Sequence, residues 1–252
     1  MSVSPERVVD GVYRVADGAV NWYLVEEDGH VALYDCGWPR SWGTVRGVLD
    51  QLGHDTASVE AVVLTHGHPD HLGSAEEIRV NCGARVLAHK TEVGRVKGKA
   101  KGSSPFSLVP GLSLQLWRPH ALGFVLGATA KGFLMPKWVK EVEAFESDIT
   151  LDVPGKPRVI PTPGHTEGHV SFELAEHGVL IAGDALVTQD PVTGNPGPCL
   201  THDVVASDPA KSRQSLGTLE SVGTEVLVSG HGDPWLGSMS DAVAHARERD
   251  AA

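Results

Sequence analysis

Three histidines and an aspartate are packed into Thr65-His66-Gly67-His68-Pro69-Asp70-His71, directly after the apolar run Ala61-Val62-Val63-Leu64. An imidazole spacing of two places His66 and His68 on one side of an extended segment. Asp70 and His71 then turn back toward them as the chain enters a helix. Neutral imidazole and carboxylate oxygen are borderline-to-hard ligands, suited to zinc, iron or manganese. A buried set of such groups is costly unless a cation or hydrogen-bond partners satisfy it. A lone histidine behind a strand is usually a surface or satisfied core residue, but four potential ligands within six residues are not explained that way.

The same pattern recurs downstream. Pro163-Gly164-His165-Thr166-Glu167-Gly168-His169 follows the strand-like Arg158-Val159-Ile160. Asp184 ends the run Val179-Leu180-Ile181-Ala182-Gly183, and His231 follows Val226-Leu227-Val228-Ser229-Gly230. Each time a hydrophobic run stops, a glycine permits a tight turn and a ligand-type side chain appears. Four strand ends meeting at one edge would hold loop-borne ligands on a rigid frame.

With Asp35 after a strand, the His-x-His-x-Asp-His run at 66–71, His165, Asp184 and His231 in this order, the chain resembles the metallo-β-lactamase superfamily of hydrolases. The motifs span residues 35 to 231, most of the chain. The resemblance implies an α/β fold, a four-layer αββα sandwich with its site at the sheet edge. It implies one metal on His66, His68 and His165, a second on Asp70, His71 and His231, and Asp184 bridging the two. His169 and Asp35 would support the ligands. Two divalent cations are expected, zinc first and iron or manganese as alternatives. Such a pair lowers the pKa of a shared water to near neutrality and polarises a substrate oxygen. The hydroxide held between the metals would attack a carbonyl or phosphoryl centre. Asp184 and Asp70 would be the catalytic carboxylates, Asp70 orienting the hydroxide or passing a proton to the leaving group.

The substrate expectation is an ester, lactone or thioester. True β-lactamases are typically exported, and several carry cysteine where Asp184 stands, which argues against that activity. Glyoxalase II is similar at the Pro163–His169 and Ala182–Asp184 segments, but its additional C-terminal helical domain has little room in the 21 residues after His231. The alternatives are an iron-dependent oxygenase of the persulfide dioxygenase type and a phosphodiesterase.

Elements to position these residues can be read from periodicity. Strands are expected at 12–15, 22–25, 31–34, 61–64, 85–88, 158–160, 170–174, 179–182 and 226–228, with Glu26-Glu27-Asp28-Gly29 as a hairpin turn. Helices are expected at 44–52, at 72–81 ending near Gly83, at 209–222 and from about Ser240. The reading is one domain over residues 1–252 with a lid-like insertion at about 90–148. The insertion opens with Lys90, Arg95, Lys97, Lys99 and Lys101, expected to be mobile and solvated, and continues with six of the chain's 14 aromatics. It is either a lid over an apolar substrate portion or a helical excursion packed on the core. Residues 185–199, rich in proline and glycine, are expected to lack regular structure for much of their length. His120 and His202 are the remaining histidines whose proximity to the site bears checking.

A net charge of −11 argues against general affinity for nucleic-acid backbone or anionic membrane. The three cysteines, Cys36, Cys82 and Cys199, are odd in number and widely spaced, so no disulfide framework is expected. The N-terminus lacks the apolar core of a signal peptide and no run reaches membrane-spanning length, so a cytoplasmic home and a small-molecule substrate are the expectations.

Overall fold

Alternation of side chains along the strands sets the layers of this protein. The computed structural model describes residues 3–251. The first half forms β1 (Glu6–Val9), β2 (Val12–Asp17), β3 (Val20–Glu27), β4 (His30–Tyr34), α1 (Trp42–Leu52), β5 (Val59–Leu64), α2 (Ala75–Cys82) and β6 (Arg85–His89). Then come α3 (Val93–Val96), α4 (Val109–Ser113), α5 (Pro119–Ala130) and β7 (Glu143–Phe145). The seven strands lie in chain order in one sheet, antiparallel from β1 to β4 and parallel from β4 to β7. Trp22, Leu24, Leu33, Val62 and Leu64 pack with Val45, Val48, Leu49 and Ile78 of α1 and α2. Their strand neighbours Tyr23, Val25, Tyr34, Ala61 and Val63 face the opposite way, into the space between two sheets.

The second half supplies β8 (Arg158–Pro161), β9 (Val170–Leu174), β10 (Val179–Ile181), β11 (Val187–Gln189), β12 (Pro196–Cys199), α6 (Pro209–Glu220), β13 (Val226–Val228), β14 (Trp235–Leu236) and α7 (Met239–Asp250). Its main sheet runs β14-β13-β10-β9-β8, with β10 and β13 parallel. Phe172, Leu174, Val179 and Ile181 meet the inner face of the first sheet, while Ile160, Leu180 and Leu227 pack with Leu216, Leu219, Met239 and Val243 of α6 and α7. The order of layers is therefore α, β, β, α, the expected sandwich.

Two expectations change and one is refined. The helix after the histidine run starts at Ala75, not Leu72. Residues 71–74 are instead tied to the loop after β4: Cys36 N–H donates to His71 O, Gly73 N–H to Gly37 O, and Ser74 Oγ to Trp38 O. A Cβ on Gly73 would run into the Gly37–Pro39 backbone, so only glycine allows this approach. Within 185–199, β11 and β12 pair as a small antiparallel sheet with an irregular register. Proline is tolerated there because no further strand asks Pro196 or Pro198 for an N–H. Finally, Arg95 is buried rather than solvated, as are its neighbours Glu92 and Val96.

Candidate metal centre

All seven expected ligands sit beyond the C-terminal ends of strands, on one edge of the two sheets. β5 delivers His66, His68, Asp70 and His71; the turn joining β8 to β9 delivers His165; β10 leads to Asp184 and β13 to His231. All seven are buried. His66, His68 and His165 offer ligand atoms within 4.8 Å of one another, and so do Asp70, His71 and His231, and also His66, His71 and Asp184. Asp184 lies between the first two groups. Its Oδ2 is 3.3 Å from both His165 Nε2 and His231 Nε2, and its Oδ1 is 3.5 Å from His71 Nε2.

Hydrogen bonds on the outer side of four imidazoles fix which nitrogen faces the centre. His71 Nδ1 donates to Asp35 Oδ2 at 2.8 Å, His165 Nδ1 to Thr201 Oγ1 at 3.0 Å, and His231 Nδ1 to the Ala19 carbonyl at 2.5 Å. Asp35 also accepts from the Thr65 N–H and hydroxyl, which leaves the Thr65 oxygen to accept from His66 Nδ1 at 3.0 Å. Each ring thereby turns its Nε2 inward, available as a ligand once it carries no proton. His66 Nε2 and His165 Nε2 lie 3.1 and 2.9 Å from His68 Nδ1, so three nitrogens share room for one proton at most. His71 Nε2 and Asp184 Oδ1 are buried without any hydrogen-bond partner. Converging lone pairs and an orphaned carboxylate oxygen fit cations and little else.

Electrostatics agree with that reading. Burial, and then the neighbouring imidazoles, hold His66 and His68 well below the ordinary histidine value, and burial lowers His165 to about 4. Burial alone would raise Asp184, but His231, His71 and His165 outweigh it and keep the carboxylate ionised. Burial also pulls His71 down, yet Asp184, Asp70 and Asp35 carry it up to about 10; for His231, Asp184 and Asp70 likewise outweigh burial. Burial pushes the Asp70 carboxyl up. Without a cation, the proton on His71 offsets part of the neighbouring carboxylate charge.

His169 is not among the inward-facing ligands. Its Nε2 accepts the Asp184 N–H at 3.0 Å and its Nδ1 donates to Thr162 Oγ1 at 2.9 Å, so both nitrogens are engaged and the ring positions the Asp184 backbone. Sequence reasoning overlooked Glu92. Its buried carboxylate accepts the N–H of Gly67 at 2.8 Å through Oε2 and that of Gly168 at 2.9 Å through Oε1. One side chain thus clamps the loop of His66 and His68 to the loop of His165. Its neighbours Lys90, Arg95 and Lys97 disguise it as part of a solvated charged run; only the apolar Val93 and Val96 beside it hint at burial.

A cavity of about 670 Å³ opens beside the cluster, with His231 in its wall. One side is the face of α5 carrying His120, Phe124 and Ala128; the other includes Trp38, Gln189 and Pro191. His120 therefore borders the cavity. His202 lines a separate one of about 480 Å³, and its Nδ1 accepts the Val204 N–H, so it takes no part in the cluster.

The family model of the metallo-beta-lactamase superfamily matches residues 15–231. A probable metallo-hydrolase, YflN of Bacillus subtilis, is 30% identical over 246 residues, spanning 90% of this chain and 86% of its own. A hydroxyacylglutathione hydrolase of Cereibacter sphaeroides is 26% identical over 145 residues, 58% of this chain and 40% of its own. Among solved structures, the metallo-beta-lactamase family protein TTHA1429 of Thermus thermophilus superposes with a TM-score of 0.69 at 28% identity, covering 97% of this chain and 81% of that one. The subclass B3 metallo-beta-lactamase BJP-1 of Bradyrhizobium japonicum gives 0.70 at 18% identity over 98% and 92%, a likeness of fold alone. The match to the family model over most of its length, borne on the fold and the residue order described above, makes this chain a member of the metallo-β-lactamase superfamily.

Proposed function

We propose that the protein is a hydrolase that works with two divalent cations, zinc first, on an ester, lactone or thioester carrying an apolar portion. The observation that carries this reading is the set of imidazole nitrogens and carboxylate oxygens turned toward one buried centre. His66, His68 and His165 would hold one cation, Asp70, His71 and His231 the other, and Asp184 both. Bound there, the pair would supply a water ionised near neutral pH and a Lewis acid for the substrate oxygen.

The chain's own residues do the rest. Asp35, Thr65, Thr201 and the Ala19 carbonyl hold four of the five rings, so that His66, His71, His165 and His231 spend no binding energy on choosing a tautomer. Asp70 would orient the water or pass its proton to the leaving group. The stretch at about 90–148 would act as a lid-like insertion of a single domain, α5 giving the apolar arm a wall of Phe124 and Ala128. Lys131, at the cavity's rim, is paired with the buried Asp17 at 2.5 Å, so it anchors α5 to β2 rather than waiting for an anion.

The test is a hydrolysis screen of the metal-loaded protein over lactones, thioesters and esters of increasing acyl length. Turnover should improve with length, each buried methylene contributing about 0.8 kcal/mol until the cavity is filled. Exclusive cleavage of phosphodiesters, or a single iron with oxygen consumption and no hydrolysis, would contradict the reading.

A further inference from the structure

Between Glu92 and Glu141 the chain has 48 residues without one aspartate or glutamate, and eight lysines and arginines. The remaining 204 residues, with 13 basic and 32 acidic side chains, carry −19. Overall charge thus averages over two regions of opposite sign. Three of the eight cations are consumed internally: Arg95 lies against Glu92, Lys131 against Asp17 and Lys137 against Glu77. Lys97, Lys99, Lys101, Arg118 and Lys140 have no carboxylate partner among the described residues.

The same stretch gathers the exposed apolar surface. Of ten large apolar side chains exposed among the described residues, seven fall between 106 and 135. Phe106, Leu114, Trp117, Leu126 and Met135 are each 61–74% exposed. α5 packs Ala121 and Ala128 inward yet also points Leu122 and Leu126 to solvent, so it is apolar all round. A surface helix of that kind is unpartnered. One of these cations is stacked on the exposed Trp117, the Arg118 guanidinium lying 4.5 Å from its ring.

We propose that this segment docks the protein on an anionic lipid surface. Free cations with exposed tryptophan, phenylalanine and leucine match the headgroup–acyl boundary, where indole rings and basic side chains both settle. A second copy of the chain fits less well. Face to face, two such segments would oppose like charges, and among the described residues the acidic remainder exposes only Val80, Ile149 and Leu236 as large apolar groups. Among the described residues no helix is long and apolar enough to cross a membrane, and the proposed contact is a peripheral one. α5 also walls the cavity that reaches His231, which puts that cavity one helix diameter, about 10 Å, from the docked surface. The inference does not rest on the hydrolytic reading, and its test needs no turnover.

The test is co-sedimentation of the full chain with phosphatidylcholine vesicles, with and without one-third phosphatidylglycerol. Binding is expected on the phosphatidylglycerol vesicles, weaker at high salt and weak on phosphatidylcholine alone. Lys99→Gln and Lys101→Gln should each reduce partitioning about fivefold. Leu114→Ser with Trp117→Ser should reduce it on the order of tenfold or more. These side chains are exposed, so melting temperatures should not move. Failure to sediment with anionic vesicles overturns the proposal, as does unchanged sedimentation of the double serine variant. A dimer in sedimentation velocity that those serines dissolve, without vesicle binding, assigns the patch to a second copy instead.

Discussion

Replacing Glu92 by glutamine probes the clamp between the two ligand loops without changing side-chain volume. The carboxylate accepts from Gly67 N–H and Gly168 N–H through separate oxygens, both bonds fully buried. An amide keeps one acceptor and turns an NH₂ toward the other donor. One charge-assisted bond, worth about 1.5–3 kcal/mol, is lost and a buried N–H is left unpaired at about 1–3 kcal/mol. The sum, roughly 2.5–6 kcal/mol, would lower the melting temperature of a chain this size by roughly 5–24 °C. Loosening either loop also moves its imidazoles, and loss of such supporting contacts typically costs about 10–100-fold in metal affinity. Zinc competition with a chromogenic chelator, beside thermal melting, reads both effects. A variant that melts early yet binds zinc like the parent would refute the clamp's role in the site; one unchanged in both would refute the clamp itself.

Two further outcomes follow from the same geometry. Gly230→Ala should abolish tight metal binding while the fold survives, because a Cβ there would press on Asp184 and approach His71 Cε1 to 2.7 Å; metal analysis and circular dichroism of the variant check it. Metal affinity should also rise with pH. In the metal-free protein His71 sits at about 10, above the roughly 6.5 of an unfolded histidine, so its proton stabilises the fold fully below pH 6.5 and that contribution is lost as pH climbs through 10. A cation must displace that proton, so affinity should gain up to about one log unit per pH unit per proton between pH 6 and 8. A flat profile from isothermal titration would contradict the assignment of His71.

Much of the frame is legible in the sequence because burial on both sheet faces leaves unbroken apolar runs. Ala61–Leu64 and Val179–Ile181 end where the candidate ligands begin, and Gly83, at φ +72, stops α2 where expected. The hairpin after β3 turns on Asp28 and Gly29, both with positive φ, as that dipeptide favours. What the sequence hides depends on long-range contacts. β1, β7 and the β11–β12 pair are short edge or irregular strands without alternation strong enough to stand out. α5 is apolar on every side, so no period marks it. Glu92 and Thr201 resemble ordinary surface residues until the fold brings them to Gly67, Gly168 and His165. His120 and His202 are equivalent on paper, yet only the first borders the cavity with His231.

The central claim is that the cluster holds two cations, and elemental analysis of the purified protein beside His68→Ala reads it most directly. His68 Nδ1 faces both His66 Nε2 and His165 Nε2, so its loss opens the first group of three. The parent should carry about two divalent ions per chain, and the variant should lose the one on His66, His68 and His165 together with activity. A parent free of metal after growth in zinc-supplemented medium, or a variant with undiminished metal content, would contradict the account.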